Sequence, residues 1–259
     1  MEDILLQALD QGVLTLSINR PEARNAWNHD LEDALRAALL VADASSEVRV
    51  IILTGSGKTF CPGPDPKAIS GGKSHRRVEV SDDDLGQRYS YMLALRKPLI
   101  AAINGAAAGV GLCLTLYCDL RFAAEHAKLT TAFARRGLPA EHGSAWMLPR
   151  LIGSMGAAEL LMTGRVFTGR EAGEMGLART LPDDGFLDAV QSFARDVATN
   201  CSPRSMMTIK RQLGLAWRQT LAEATQLANR ETEASLGSAD VKEGIAHFVE
   251  KRRAAFNPL

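Results

Sequence analysis

Two stretches of this chain join a short apolar run to a turn of small residues, an arrangement that can aim backbone N–H groups at negative charge. In the first, Leu53-Thr54-Gly55 leads to Phe60-Cys61-Pro62-Gly63-Pro64-Asp65. In the second, Ile103-Asn104-Gly105 leads to Gly109-Val110-Gly111 and an apolar run ending at Cys118. The second puts the N–H groups of a tight turn at a helix N-terminus, where an anion or a developing oxyanion is stabilised. Taken alone, the same Gly-x-Gly serves equally well to let a helix pack closely on a strand. The cysteines carry less. Cys61, Cys113, Cys118 and Cys201 form no Cys-x-x-Cys pair, and no histidine stands at zinc spacing from two of them. They read as reduced thiols, with no metal set.

The elements that position these turns are legible in the periodicity. Gly12 to Ile18 alternates, with Leu14, Leu16 and Ile18 on one side, so it reads as a half-buried strand. Asn28 is a good N-cap, and Leu31, Ala34, Leu35, Ala38, Leu39 and Ala42 repeat at helical spacing behind it. Val48 to Leu53 is β-branched without alternation, the mark of a strand buried on both faces. Strand, helix, strand suggests a right-handed crossover. Three prolines in five residues, Pro62, Pro64 and Pro66, preclude regular structure there. Residues 70–84 read as a surface loop, 84–96 as a helix stopped by Pro98, Leu99–Ile103 as a buried strand, 112–118 as a helix and Leu120–Ala123 as a short strand. The last third predicts helices at 154–162, 169–175, 184–199, 203–213, 217–236 and 240–252.

Composition bounds the rest. The 259 residues are 46% hydrophobic, 23% charged and 5% aromatic, so the chain is globular, near the size limit of one core. Thirty basic residues balance thirty acidic ones, so no global field draws it to nucleic acid or an anionic membrane. The longest apolar stretch, Leu99 to Leu116, is interrupted by Asn104 and three glycines, short of the roughly 20 residues a membrane span needs. An acidic pair, Glu2-Asp3, stands where a signal peptide requires basic residues, so a cytoplasmic location is expected.

Six segments together resemble the crotonase, or enoyl-CoA hydratase/isomerase, family. They are GVLTLSINRPEARNAWN (12–28), VRVIILTGSGKTFCPGPDPK (48–67), KPLIAAINGAAAGVGLCLTLYCDLRFAAEHAKL (97–129), LPRLIG (148–153), LMTGRVFTGREAGEMGLA (161–178) and SADVKEGIAHFVEKRRAAF (238–256). The resemblance implies an α/β spiral of ββα units over residues 1–195, with a C-terminal helical region over 196–259 that is part of the same functional unit. It also implies trimers or hexamers, and acyl-CoA thioesters as ligands, with CoA part of the substrate and no separate cofactor. The implied chemistry holds a thioester enolate between two backbone N–H groups, here at Pro64 and Val110. Proline has no N–H, so one donor is missing at that position.

The resemblance also places the two water-handling glutamates of hydratases at Cys113 and Phe133, neither of which can carry a proton for them. Glu141 and His142 stand in the loop that closes over the reacting carbons in hydratases. The catalytic set it implies is therefore Val110, Glu141 and His142, with Glu141 a relocated base or, alternatively, a solvated loop acid paired with Arg135 or Arg136. Cys113 with His142 as base is a further option, set against a core-lining cysteine. The implied CoA set is Arg24, Ala26, Gly63, Pro64, Asp65, Lys67, Gly109, Val110, Phe248 and Lys251, the last two reaching a neighbouring subunit's nucleotide site or, alternatively, lying on a merely amphipathic helix. The readings left open are a hydratase/isomerase-type lyase or isomerase, an acyl-CoA-binding protein without catalysis, and a thioester or C–C hydrolase.

Overall fold

The computed structural model describes residues 3–65 and 85–259. A six-stranded sheet of order β1-β2-β3-β5-β7-β10 is built from β1 (Leu5–Asp10), β2 (Val13–Ile18), β3 (Val50–Gly55), β5 (Leu99–Ile103), β7 (Leu120–Ala124) and β10 (Arg179–Leu181). A four-stranded sheet of order β4-β6-β8-β9 is built from β4 (Thr59–Cys61), β6 (Ala106–Ala108), β8 (Lys128–Thr130) and β9 (Phe167–Thr168). Three strands of the large sheet each hand the chain to a short strand of the small one: β3 to β4, β5 to β6, β7 to β8. This stepwise transfer winds the chain into a spiral. Its inner turns are the two small-residue junctions.

Helix α1 (His29–Ala44) joins β2 to β3, which lie parallel in register. Asn28 accepts from the Leu31 N–H as its N-cap, and Leu31, Leu35, Ala38, Leu39 and Ala42 are buried. β3 and β5 are buried on both faces, as their β-branched runs require: Ile51, Leu53, Leu99 and Ala101 pack into one apolar cluster, Val50, Ile52, Ile100 and Ala102 into the other. The half-buried reading of β2 is corrected. Its second face is covered too, because α5 (Phe186–Asn200) packs on the sheet and buries Val13 and Thr15.

Helix α2 (Val110–Leu116) follows β6, and α3 (Ser144–Thr163) is kinked at Gly153, so only its second half matches the expected 154–162. Then come α4 (Gly169–Glu174), α5, α6 (Pro203–Ala216), α7 (Leu221–Ser235) and α8 (Ala239–Glu250). The division at 195/196 falls inside α5, and the chain turns away only at Cys201. The helix expected at 84–96 is, over its described part, a 3-10 turn at Ser90–Ala94. Lys97 explains the tight approach that follows it. Its buried ammonium donates to the carbonyls of Ala42 and Ser45, closing the C-terminus of α1. Six strands escaped the sequence reading: β1 on the sheet edge, the three-residue β4, β6, β8 and β10, and the two-residue β9. The loop expected at 70–84 lies outside the described residues.

Candidate active site

The two junctions face each other across a cleft of about 90 Å³. On one side, the Trp27 N–H donates to the Gly63 carbonyl at 2.8 Å, and the Asp65 N–H donates to the Trp27 carbonyl at 2.8 Å. These two bonds make Trp27 and Pro64 partners in a parallel bridge. Successive backbone groups of an extended segment point to opposite sides. Since the groups at 63 and 65 point to Trp27, the nitrogen of Pro64 points the other way, toward Ala108–Val110. Gly63 permits this. Its φ is +107°, and a Cβ there would stand 3.2 Å from the Ala108 carbonyl.

On the other side, Gly109 spends its N–H on the Thr130 carbonyl at 3.1 Å, and Val110 begins α2. No side chain caps that helix, so the Val110 N–H is one of its unsatisfied first-turn donors. The helix starts here because Gly111 lets it sit directly on β4: a Cβ at 111 would lie 2.1 Å from the Cys61 carbonyl oxygen.

A third wall comes from residues 131–142. Thr131, Ala132, Phe133, Arg136, Leu138, Glu141 and His142 line the cleft with Pro64 and Val110. Phe133 is buried, its ring where the resemblance expects a glutamate. Glu141 is 31% exposed at its side chain and lies 3.7 Å from Nε2 of His142. Arg135 is not its partner, since the Arg135 guanidinium donates to the Thr163 carbonyl at 2.8 Å. His142 adopts φ +55°, uncommon for a non-glycine residue. It is held there by the Tyr117 hydroxyl, which donates to its carbonyl at 2.7 Å, and by edge contact with the Tyr89 ring at 5.2 Å. The Ser144 hydroxyl donates to the Glu141 carbonyl at 2.7 Å. The backbone carbonyls of the acid and of the residue after it are thus fixed.

Cys113 lies beneath, fully buried. Burial pushes its thiol up to about 12; hydrogen bonding with Ser144 opposes this and the Glu141 charge reinforces it. A neutral, fully buried thiol is a poor nucleophile, which favours the core-lining reading of Cys113 over the Cys113–His142 option. Arg88, which sequence reasoning missed, also lines the cleft. It pairs through two nitrogens with Glu32 on α1, 56 residues away. Burial raises the Glu32 carboxyl, but the Arg88 hydrogen bond and charge outweigh that and hold it below its usual range. Glu32 also accepts from Trp27 Nε1 at 3.3 Å, so this pair steadies the strand that carries Pro64. No local pattern announces a partnership across such a separation.

Gly63, Pro64, Gly109 and Val110 of the implied CoA set meet in the cleft with Glu141 and His142. Of the others that are described, Arg24, Ala26, Asp65, Phe248 and Lys251 do not line it within one chain. Asp65 is paired with Arg20 at 3.0 Å, and the Ala26 carbonyl accepts from the same arginine. Arg24 is exposed in a left-handed turn, and Phe248, 80% exposed, and Lys251 lie at the end of α8. Lys67 lies outside the described residues.

Comparison with known proteins accords with this geometry. A family model described as enoyl-CoA hydratase/isomerase matches residues 8–258. The chain is 33% identical to 1,2-epoxyphenylacetyl-CoA isomerase of Escherichia coli (strain K12), over 99% of each protein. It is 35% identical to a probable enoyl-CoA hydratase of Rhizobium meliloti (strain 1021), over 95% of this chain and 93% of that one. The crystal structure of a probable enoyl-CoA hydratase/isomerase from Mycobacterium abscessus superposes with a TM-score of 0.90 at 34% identity, covering 98% of this chain and 99% of that one. Among the described residues, no helix is long and apolar enough to cross a membrane.

Proposed function

The chain belongs to the enoyl-CoA hydratase/isomerase family, and from that premise we propose that it binds an acyl-CoA thioester and moves a proton along its acyl group, without adding water. The observation that carries this reading is Glu141, the one carboxylate among the described residues that line the cleft with Val110; the resemblance puts Cys113 and Phe133 at the hydratase glutamate positions. Syn-addition of water needs one group to deprotonate the water and another to protonate carbon. Transfer of a proton from one carbon to another needs one base that takes it and gives it back. Glu141 removes the proton; the electron pair moves onto the thioester oxygen; the Val110 N–H stabilises the resulting enolate. The proton then returns from Glu141 to a different carbon. His142 stays close enough to share it.

CoA is part of the substrate, and the reading requires no separate cofactor and no metal. Exposed apolar side chains on the C-terminal helices, Leu221, Ile245, Phe248 and Val249, support assembly into a homotrimer or hexamer. In that assembly Phe248 and Lys251 serve a neighbour's nucleotide site, Arg24 holds the CoA phosphates, and Asp65 and Lys67 stand beside the adenine pocket. Pro64 favours a second reading, a thioester-binding protein without turnover, because the missing donor costs about 10²–10³ in rate.

The deciding experiment incubates the protein in D₂O with crotonyl-CoA and with a 3-enoyl-CoA. The expected result is deuterium entry and double-bond migration, with little 3-hydroxyacyl product. Fast hydration overturns the single-base assignment. Binding without exchange establishes the second reading.

A further inference from the structure

One face of α2 holds the Glu141–His142 turn at two successive carbonyls. Cys113 and Tyr117 are four residues apart, the spacing that sets two side chains one above the other along a helix. Cys113 hydrogen-bonds with the Ser144 side chain, and the Ser144 hydroxyl donates to the Glu141 carbonyl at 2.7 Å. Tyr117, at the end of α2, donates its hydroxyl directly to the His142 carbonyl at 2.7 Å. The turn needs such a hold. His142 and Gly143 both lie in the left-handed region, at φ +55° and +68°, which a non-glycine residue keeps only where its surroundings impose it. Gly143 lets the hydroxyl come this close, since a Cβ there would stand 2.4 Å from it. Tyr117 is itself buried, and burial pushes its hydroxyl up to about 12, so it remains a donor at neutral pH.

We propose that Tyr117 is a positioning residue for the proton transfer, its hydroxyl locking the turn that carries Glu141 so that the carboxylate keeps one distance from the Val110 N–H. The proposal rests on the proton-transfer reading above. α2 makes the lock effective: Val110 is its first residue and Tyr117 caps its end, so one rigid element runs from the donor to the clamp. A base on a loop is otherwise free to drift, and a displacement of about 1 Å costs up to about 10²-fold in rate. Tyr117 does not line the cleft, so it acts through Glu141 and not on the substrate.

Tyr117→Phe removes the hydroxyl and keeps the ring. Deuterium exchange at saturating 3-enoyl-CoA should fall by about 10–10², while calorimetric affinity for butanoyl-CoA stays within about twofold. In the Glu141→Gln background, where misplacing an absent base costs nothing, Tyr117→Phe should change the residual exchange by less than about twofold. Gly143→Ala, whose added Cβ displaces the hydroxyl, should lower exchange in the same way and gives a second readout should Tyr117→Phe fold poorly. Equal exchange in the parent and both variants, the same loss with and without Glu141, or a loss matched by weaker butanoyl-CoA binding overturns the positioning role and leaves the proton-transfer reading standing. Absence of exchange in the parent, or full exchange in Glu141→Gln, overturns the proton-transfer reading and this proposal with it.

Discussion

The two turns that face each other across the cleft are built alike and differ in one atom. Each follows a short strand of the small sheet, and each is set by a glycine whose Cβ would meet backbone of the neighbouring element. The Val110 turn ends in a free N–H at the first residue of a helix; the Pro64 turn ends in a ring nitrogen with no hydrogen. They differ also in support. The Val110 turn sits on fully buried Cys61 and Cys113, while the Pro64 turn leans on Trp27 and, through it, on the Glu32–Arg88 pair near the surface. A site that stabilises an enolate from one side only asks more of its base, which makes Glu141 the point where the comparison breaks most readily.

Glu141→Gln keeps the shape and removes the proposed base. Proton transfer should fall by about 10²–10⁴, with thermal stability and CoA binding nearly unchanged. Full deuterium exchange in this variant would mean that the 141–142 wall takes no part in the reaction.

Pro64→Ala makes the two turns equivalent by restoring a donor on the side that faces Val110. Exchange of the α-proton should rise by about 10²–10³. A variant that melts like the parent and shows no change in rate would mean that the second donor comes from elsewhere or that no enolate forms.

Glu32→Gln loosens the Pro64 side alone. At neutral pH it should cost about 1–3 kcal/mol in denaturant unfolding, because Arg88 loses a charged partner in a half-buried place. The Glu32 carboxyl is held below its usual range in the folded protein, so its contribution is present above the unfolded carboxylate pKa of about 4.3 and is lost as pH falls through the folded value. The gap between variant and parent should therefore close on acidification. A gap that widens toward acid would contradict the sign of that shift.

The smallest effect concerns the dryness of the Val110 side. With its thiol near 12, roughly one part in ten thousand of Cys113 is thiolate at pH 8, and the buried Cys61 and Cys118 thiols are likewise raised to about 12. Iodoacetamide should label the exposed Cys201 and spare the other three until the protein unfolds. Prompt labelling of Cys113 in the folded protein would show a cleft open to water beneath Glu141.

Local pattern determined much of this molecule. The apolar runs at 48–53 and 99–103 specify strands buried on both faces, the Asn28 cap and its 3.6-residue repeat specify α1, and the resemblance carried by the six matching segments implies the spiral. The family resemblance singled out Pro64, Val110, Cys113 and Phe133, and what a proline lacks or a carboxylate supplies is a property of the residue itself. Tertiary structure alone decided what meets what. Only the folded chain turns the Pro64 nitrogen toward the Val110 turn, brings Arg88 to Glu32 across 56 residues, clamps His142 with Tyr117, and shuts Cys113 away from water. These depend on distances between segments remote in sequence and on the desolvation that packing imposes. Neither quantity exists until the chain has folded, so no reading of residue type and spacing contains them.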